Sequence, residues 1–377
     1  MPESFKQKKI LIFHPALAPY RIDQLNSLSE LFELEVVFMF DNVWNHKFDQ
    51  NQLLSQLKFK YSFLLKGPSY KGRVFRFNML RTIRRSNPDV IIGYEYSLTT
   101  QYLVLLKRLG LIRQKIGSTI DDSIEICNNI QSKTRDLARR KTIKWLDFIV
   151  VLSHEVSSYY HESFDLLESK IIVSPILQKP ERLRKERTAL ENIAYKHQQN
   201  YRLRDKKVLL FVGRFIAEKA LIRFIESIGY AIKQIEDLKL VLVGEGAERG
   251  AIEAAIEKYD LKHQILLPGR FESFELYAWY LCASGFVLPS TYEPFGAVVN
   301  EALVFGLPVF CSRYAGASTI LIDDRSMTFD PLDDADTNTK LNAFVARIDK
   351  VSTIDLSLRK SLSKDDHNEF IDQWNKL

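Results

Sequence analysis

Short apolar runs rich in β-branched residues alternate with longer amphipathic stretches along the whole chain. In the first half the apolar runs are KILIFH, LEVVFMF, DVIIGYE, KIGSTI, DFIVVLS and KIIVSP. In the second half they are KVLLFVGR, LKLVLVGEG, QILLPGR, GFVLPS and LPVFCSR. Continuous apolar strands separated by helical patterns are typical of parallel sheets that are covered on both faces. The pattern therefore predicts an α/β protein.

A charged segment without a strand-like run interrupts this alternation at residues 178–206. We therefore expect two doubly wound, Rossmann-like domains, an N-terminal one over 1–177 and a C-terminal one over 207–365, with 178–206 as a linker or charged insertion. Ligands of such sheets bind beyond the carboxyl ends of the strands, so we expect both domains to face a central cleft. The tail, 366–377, predicts a C-terminal helix that packs back on the N-terminal domain.

The composition of the 377-residue chain, 46% hydrophobic and 27% charged, is typical of a soluble globular protein. Three widely spaced cysteines argue against a disulfide framework and against a structural zinc site. The N-terminus lacks the long apolar stretch of a signal peptide, and no apolar run approaches the length of a membrane span. We therefore expect a cytoplasmic protein whose membrane contact, if any, is peripheral.

Positive charge is concentrated in residues 51–150, which contain 19 Lys and Arg against 7 Asp and Glu. Such a surface could meet a phosphorylated ligand, anionic lipid at the inner face of a membrane, or nucleic acid. Solvated helix faces are the alternative explanation. No nucleic-acid-binding motif surrounds the basic stretches, so we expect no nucleic-acid partner.

The segment FGAVVNEALVFGLP predicts a buried helix that begins after Pro294 and contains one carboxylate, Glu301. A buried carboxylate must be paired or hydrogen-bonded. Glu301 is therefore either half of a structural ion pair with a Lys or Arg, or the acceptor of hydrogen bonds from ligand hydroxyls such as a ribose diol. Free amide groups at the helix start, residues 295–298, predict a site for an anion such as phosphate.

Two cations lie at the start of the second domain. Gly213 and Arg214 end its first predicted strand, and Lys219 lies at the start of the next helix. Both cations are placed to bind a diphosphate. The glycine-rich turn in VLVGEGAERG, residues 241–250, lacks the Lys-Ser/Thr pair of a P-loop.

The segments VGRFIAEKAL, LVLVGEGAERG, PGR, FVLPSTYEPFGAVVNEALVFGLPVF and AGAS together resemble the retaining, GT-B-fold glycosyltransferases of family 4, the "glycosyl transferases group 1" type. The resemblance covers about 207–332 and includes two glutamates eight positions apart. It implies that Arg214 and Lys219 neutralise the donor diphosphate and that Glu301 binds the nucleotide ribose. It further implies donor contacts from Glu293 to the sugar, from the helix start at Phe295, Gly296 and Ala297 to the sugar or distal phosphate, and from Arg270 to the base.

Two positions depart from the family pattern. The residue after the clamp lysine is usually Gly, and here it is Ala220, which we expect a helix start to accommodate. Many relatives carry a His after the strand GSTI, where this chain has Asp121 and Asp122. Either aspartate could position donor or acceptor, or cap a helix.

His14 and Arg21 join the first predicted strand to the next helix, and we expect both near the cleft. For His14 a satisfied loop histidine is the alternative.

The sequence thus predicts a metal-independent, cofactor-free glycosyltransferase. It would move a sugar from a nucleotide-diphosphate sugar to an acceptor hydroxyl, in the assembly of a cell-surface glycan such as lipopolysaccharide or capsule, and the family resemblance implies retention at the anomeric carbon. We expect a glycan or lipid-linked glycan as the acceptor, and Arg214, Lys219, Glu293 and Asp121 as the catalytic residues. The alternative is a non-catalytic nucleotide-sugar or phosphoglycan binding protein. The absent His supports that alternative, and the intact Arg, Lys and glutamate set weighs against it.

Overall fold

A computed structural model of the chain describes residues 7–43, 47–70, 73–129, 133–364 and 367–377. The chain divides into two compact units. The first unit contains Met1–Leu177 and Asp366–Leu377, and the second contains Gln178–Asp365. Lys71 and Gly72 of the basic stretch, and Asp366 of the tail, lie outside the described residues.

The first unit is built on a parallel sheet. Its strands are β1 (Lys9–His14), β2 (Glu33–Phe38), β3 (Lys60–Phe63), a separate antiparallel pair β4 (Ser69–Tyr70) and β5 (Arg73–Val74), β6 (Val90–Tyr94), β7 (Lys115–Ile120), β8 (Phe148–Val151) and β9 (Ile171–Val173). The sheet order is β3-β2-β1-β6-β7-β8-β9, and every neighbouring pair in it is parallel.

Helices cover both faces of this sheet, as the continuous apolar strands predict. They are α1 (Ile22–Leu31), α2 (Gln50–Leu54), α3 (Met79–Ser86), α4 (Leu98–Arg108), α5 (Ile124–Asn128), α6 (Lys133–Ile143) and α7 (His154–Phe164). Successive side chains of a strand point to opposite faces. Accordingly, Leu11 and Phe13 of β1 belong to one core cluster, and Ile10 and Ile12 belong to another.

The second unit repeats the architecture with six strands. They are β10 (Lys207–Val212), β11 (Leu238–Val243), β12 (Ile265–Gly269), β13 (Gly285–Leu288), β14 (Val309–Ser312) and β15 (Met327–Phe329). All neighbouring pairs are parallel, in the order β12-β11-β10-β13-β14-β15. Counted within the unit this order is 3-2-1-4-5-6, the order of a doubly wound dinucleotide-binding sheet. Its helices are α8 (Pro180–Leu183), α9 (Arg187–Asn200), α10 (Leu221–Lys233), α11 (Arg249–Lys258), α12 (Ser273–Leu281), α13 (Ala297–Val304) and α14 (Asp334–Arg347).

Residues 178–206, which the sequence analysis assigned to a linker or charged insertion, form α8 and α9 of the second unit. Helix α9 packs against α12, where the His197 ring stacks on Trp279 at 4.3 Å. Its inner face is narrow and fully buried at Leu190 and Ala194. A stripe this narrow, surrounded by charged residues, explains why the segment does not look like part of a domain in the sequence.

The final helix, α15 (His367–Trp374), belongs to the first unit. Phe370 and Trp374 are buried in a core cluster of that unit, where the Trp374 ring meets Phe32 edge-on at 6.4 Å. The Trp374 indole Nε1 donates to Ser174 Oγ at 3.2 Å, so the one polar atom of this buried ring is satisfied. Together these contacts hold the tail against the first sheet.

Among the described residues, no helix is both long and apolar enough to cross a bilayer. The three cysteines, Cys127, Cys282 and Cys311, are buried and form no disulfide.

Candidate functional site

The second unit has its topological switch point between β10 and β13, which lie side by side although other elements separate them in sequence. Gly213 and Arg214 follow β10, and the loop with Glu293 follows β13. Because the carboxyl ends of parallel strands meet at one edge, the predicted diphosphate cations and the first glutamate share that edge. This is the ordinary ligand position of a doubly wound sheet.

Lys219 and Glu293 form an ion pair in which Lys219 Nζ donates to Glu293 Oε2. Lys219 ends a 3-10 helix, Ala217–Lys219, and both side chains are largely buried, at 14% and 13% exposure. The Thr291 amide donates to the Glu218 carbonyl at 2.9 Å, which joins the two loops that carry the pair. Two residues 74 positions apart in the sequence are thereby held in direct contact.

Arg214 is exposed, and none of the described residues forms an ion pair with it. The glycine-rich turn after β11 packs against the neighbouring strand end. A β-carbon at Gly244, whose φ is +153°, would overlap the Gly213 carbonyl oxygen. The glycines of this turn therefore permit a close backbone approach.

The N-cap of α13 is Gly296, whose φ of +96° favours glycine. A β-carbon there would also lie only 2.9 Å from Leu288 Cδ2. The buried Phe295 accepts from the Ala317 amide at 2.7 Å, which fixes the loop before the helix. The amides of Ala297 and Val298 have no hydrogen-bond partner among the described residues. They are first-turn donors of the kind that bind anions.

Glu301 is buried at 6% exposure, as the apolar helix predicts. Tyr280 Oη donates to its Oε2 at 2.7 Å and Gln178 Nε2 donates to its Oε1 at 3.2 Å. Burial raises the pKa of Glu301, while these two hydrogen bonds and the charge of Arg182 act in the opposite direction. The side chains that hydrogen-bond Glu301 are thus neutral donors. A structural ion pair, the first of the two interpretations of Glu301, would have required a Lys or Arg in their place.

One acceptor beside Glu301 is left over. Gln178 Oε1 is buried and has no hydrogen-bond partner among the described residues. A buried acceptor without a donor is costly, about 1–3 kcal/mol, and is the kind of group that a ligand hydroxyl can satisfy.

Arg270 lies apart from the other predicted donor contacts. It follows β12, the edge strand, and its Nη2 pairs with Glu272 Oε1. Two strands, β11 and β10, separate β12 from β13. The role of Arg270 at the nucleotide base stays a prediction.

The prediction that a helix start accommodates Ala220 was wrong. Ala220 is the N-cap of α10 and adopts the left-handed conformation, with φ +51° and ψ +31°. An L-residue with a β-carbon is strained there, so this helix start does not accommodate alanine easily.

Replacing Ala220 by glycine is expected to stabilise the second unit by about 1 kcal/mol, because the strain at positive φ disappears. Urea denaturation measures this difference. The matched control is Ala254→Gly in the exposed interior of α11, where glycine is expected to destabilise by about 1 kcal/mol. A loss of stability in Ala220→Gly would contradict this account of the helix start.

The two aspartates of the first unit have different environments. Asp121 follows β7 and has 43% side-chain exposure. It accepts a hydrogen bond from Arg21 Nη2, and its amide donates to Glu95 Oε1 at 2.9 Å. Glu95 follows β6 and has φ +48°, an uncommon conformation outside glycine. Asp121, Arg21 and Glu95 thus meet at the carboxyl edge of the first sheet.

Asp122 is buried at 2% exposure and pairs with the fully buried Arg139, Nη2 to Oδ2 at 2.8 Å. The N-cap of α5 is Ser123, whose hydroxyl accepts from the Ile126 amide at 3.3 Å. Neither aspartate therefore caps this helix. Asp122 has a structural role, and Asp121 is the aspartate at the sheet edge.

His14 ends β1 at the same edge. Burial lowers its pKa to about 4, and the charge of Arg21 acts in the same direction. The ring is therefore neutral at physiological pH. Its Nδ1 is buried and has no hydrogen-bond partner among the described residues.

Three residues near these sites, Glu95, Gln178 and Tyr280, were not predicted from the sequence. Glu95 carries a detectable signal, since it follows a buried strand at the carboxyl edge. Tyr280 and Gln178 lie 21 and 123 positions from Glu301, too far for any local pattern to connect them. Among the described residues, no group of three or more His, Cys, Asp and Glu side chains is arranged to hold a metal ion.

Residues 193–364, which lie in the second unit, match the family described as glycosyl transferases group 1. Relatives of the chain include an uncharacterized glycosyltransferase of Methanocaldococcus jannaschii, 30% identical over 135 residues and 34% of each chain. They also include the uncharacterized glycosyltransferase YqgM of Bacillus subtilis, 23% identical over 253 residues and 66% of each chain. A lipopolysaccharide core biosynthesis glycosyltransferase, LpsD of Rhizobium meliloti, is 31% identical over 119 residues, which are 31% of this chain and 32% of LpsD.

The chain therefore matches between about a third and two thirds of the length of these curated relatives. Among solved structures, HepE of Anabaena in complex with UDP is similar over 98% of this chain and 100% of HepE. The TM-score is 0.70 at 15% sequence identity. Both Rossmann-like units thus have the fold of GT-B glycosyltransferases.

Proposed function

We propose that this chain is a retaining glycosyltransferase of the group 1 type, family 4, which moves a sugar from a nucleotide-diphosphate donor to an acceptor hydroxyl. The observation that carries the proposal is the edge of β10 and β13. The loops at that edge carry Arg214, the Lys219–Glu293 pair and the unpartnered amides of Ala297 and Val298, all within the segment that matches the family.

In the proposed donor complex the diphosphate lies against Arg214, Lys219 and the amides of Ala297 and Val298. These groups supply two positive charges and the positive end of a helix dipole. Lys219 already touches Glu293, so the same lysine would orient the glutamate toward the hydroxyls of the donor sugar. The UDP complex of HepE supports a uridine nucleotide as the first donor to test.

Glu301 and its neighbours would hold the ribose. In the free protein Tyr280 and Gln178 each donate to one carboxylate oxygen, and a carboxylate can accept further hydrogen bonds. A ribose hydroxyl would add a donor at Glu301, and a second could satisfy the unpartnered Gln178 Oε1. Glu301 is then tolerated in a buried helix because both protein and ligand hydrogen-bond it.

In the proposed reaction the bond from the anomeric carbon to the diphosphate oxygen breaks, and a bond from the same carbon to the acceptor oxygen forms. The acceptor proton passes to an oxygen of the departing diphosphate. Negative charge grows on the diphosphate in the transition state. Arg214, Lys219 and the α13 amides would stabilise it electrostatically, usually the largest catalytic contribution. This cationic set supports a reaction without a metal or other cofactor.

The first unit would bind the acceptor. Its carboxyl edge presents Asp121, which we propose takes the position of the family histidine, beside Arg21 and the neutral His14. The relationship to LpsD and the basic excess of 51–150 support a cell-surface glycan, free or lipid-linked, as acceptor. We place the reaction in the cytoplasm, at the inner face of the membrane where the acceptor is lipid-linked.

A second candidate is a nucleotide-sugar or phosphoglycan binding protein without turnover. The aspartate at the histidine position supports it, because Asp121 is engaged by Arg21. Donor binding without release of nucleoside diphosphate would identify this function.

Replacing Glu301 by glutamine is expected to weaken UDP binding about tenfold or more, because hydrogen bonds to a charged group contribute about 1.5–3 kcal/mol. Glutamine keeps the size of the side chain and a hydrogen-bond partner for Tyr280, so the variant is expected to fold. Calorimetric titration of UDP measures the affinity. The matched control is Glu257→Gln, an exposed glutamate of α11 that pairs with Lys262. Unchanged UDP affinity in folded Glu301→Gln would remove the ribose role.

A further inference from the structure

The first unit contains a long stretch without a carboxylate. Residues 50–88 include nine Lys and Arg and no Asp or Glu. Some of these cations are neutralised from outside the stretch. Lys60 and Arg85 lie 3.7 and 3.8 Å from the carboxylate oxygens of the buried Glu35. Three others, Arg76, Arg81 and Arg84, have no ion-pair partner among the described residues, and they line one cavity.

This cavity has a volume of about 380 Å³ and is open to solvent. Its charged lining consists of Arg76, Arg81 and Arg84. Its aromatic lining consists of Phe75, Phe77 and Tyr102, in which Phe75 meets both other rings edge-on. We refer to it as the arginine cavity.

Arg76 is the buried member of the set, with 8% exposure. Its Nε donates to the Met39 carbonyl at 2.9 Å and its Nη1 to the Leu65 carbonyl at 2.6 Å. These hydrogen bonds fix the position of the guanidinium, but the neutral carbonyl groups do not neutralise its charge. None of the described carboxylates forms an ion pair with Arg76. A buried charge without a counter-ion is unfavourable, so the cavity wall is built for an anion.

Arg81 and Arg84 add two exposed cations one helical turn apart on α3. Neither has an ion-pair partner within the described ranges, in contrast to Arg85 beside them. The N-cap of α3, Asn78, is left-handed and its side chain makes no capping hydrogen bond. Asn78, Met79 and Leu80 at the start of α3 also line the cavity, and no side-chain cap occupies the first-turn amides.

We propose that the arginine cavity binds a phosphate group, as a phosphomonoester or phosphodiester, whose neighbouring apolar or sugar portion packs against the aromatic rings. Three guanidinium groups match phosphate oxygens in geometry and charge. Met39 and Leu65, which hold Arg76, follow the carboxyl ends of β2 and β3. The Arg76 side of the cavity therefore lies at the carboxyl edge of the first sheet, the edge at which His14 and Asp121 also lie.

The position at this edge identifies the phosphate as part of the glycosyl acceptor. That identification rests on the proposed function, whereas the anion site itself does not. Phosphate chemistry is shared by two sources, a soluble phosphorylated glycan and a lipid headgroup. The experiment below separates them.

Phenylglyoxal modifies accessible arginines, and mass spectrometry reads each arginine of the full chain separately. At constant ionic strength, inorganic phosphate and glucose 6-phosphate are expected to slow modification of Arg81 and Arg84 several-fold. Arg113, an exposed arginine of the same unit without an ion-pair partner among the described residues, is the internal control and is expected to react unchanged. In the same digests Arg214 reports protection by UDP, so failure of the donor proposal is seen separately.

Vesicles distinguish the two sources of phosphate. The two sources are compared at equal phosphate concentration. A lipid headgroup is supported if phosphatidylglycerol-phosphatidylcholine vesicles protect Arg81 and Arg84 more strongly than glucose 6-phosphate does. The reverse supports a soluble phosphorylated acceptor. Phosphatidylcholine vesicles alone control for surface adsorption. No protection by any phosphate compound, or equal protection of Arg113, would overturn the arginine cavity as an anion site.

A variant gives a second readout that does not depend on chemical modification. Inorganic phosphate is expected to raise the melting temperature of the wild-type chain, and Arg81→Ala/Arg84→Ala is expected to lose at least half of that rise. Both substituted residues are exposed, so the variant is expected to fold. The control Arg113→Ala/Lys144→Ala also removes two positive charges, from exposed positions outside the cavity, and its melting temperature is expected to respond to phosphate as that of wild type does. An undiminished rise in Arg81→Ala/Arg84→Ala would also overturn the proposal.

Discussion

Replacing Lys219 by alanine is expected to lower kcat about 100- to 1,000-fold, the usual effect of removing one group that stabilises transition-state charge. Lys219 has two functions in the proposed reaction. It would contribute a cation to the diphosphate, and its ion pair would orient Glu293. The measurement is the initial rate of nucleoside diphosphate release from the donor sugar at saturating donor.

The matched control for this variant is Lys196→Ala, an exposed lysine of α9 in the same unit. Its rate is expected to equal that of wild type. A folded Lys219→Ala enzyme whose kcat stays within threefold of wild type would show that the Lys219–Glu293 pair is structural.

Replacing Asp122 by alanine is expected to destabilise the first unit by about 3–5 kcal/mol, the largest stability effect that we expect from a single aspartate in this chain. The reason is that Arg139, fully buried, would lose its counter-ion. Replacing Asp121 by alanine is expected to destabilise by less than Asp122→Ala does, because the Asp121 carboxylate is 43% exposed and the buried Arg21 keeps its hydrogen bond to Gln24 Oε1. The urea midpoint of the first unit measures both changes.

The comparison between these neighbours also separates stability from function. Asp121→Ala is expected to keep the fold and lower the transfer rate, whereas Asp122→Ala is expected to lower stability. Equal urea midpoints for the two variants would contradict the assignment of Asp122 to a structural ion pair.

The strands that form the centres of both sheets could be predicted because their apolar runs are continuous. KILIFH and KIGSTI have the same bounds in the sequence and in the structure, as β1 and β7. Two edge strands could not be predicted. β3 is mostly exposed, so it has no apolar run, and β15 is only three residues long. Edge strands bury less surface, and their sequences are correspondingly less constrained.

The donor side of the candidate site was predictable because its residues lie in local motifs. The eight-residue separation of Glu293 and Glu301, and the Arg214 to Lys219 segment, can be read directly from the sequence. The partners of Glu301 could not be predicted, because Tyr280 and Gln178 reach it only through tertiary packing.

The two aspartates after GSTI show the same limit in the first unit. Adjacent residues in an extended segment point in opposite directions, so burial decides which one is structural. That burial depends on Arg139, 17 positions away from Asp122.

The most direct test of the proposed donor site is a thermal-shift panel of UDP, GDP, ADP, CMP and their common sugar conjugates, each with and without EDTA. We expect one nucleotide family to raise the melting temperature, with no effect of EDTA. A ligand at 100 times its dissociation constant stabilises a protein by about 2.7 kcal/mol, which such a measurement detects. No shift with any nucleotide would contradict a donor site at the edge of β10 and β13, and a shift abolished by EDTA would contradict a diphosphate site that works without a metal.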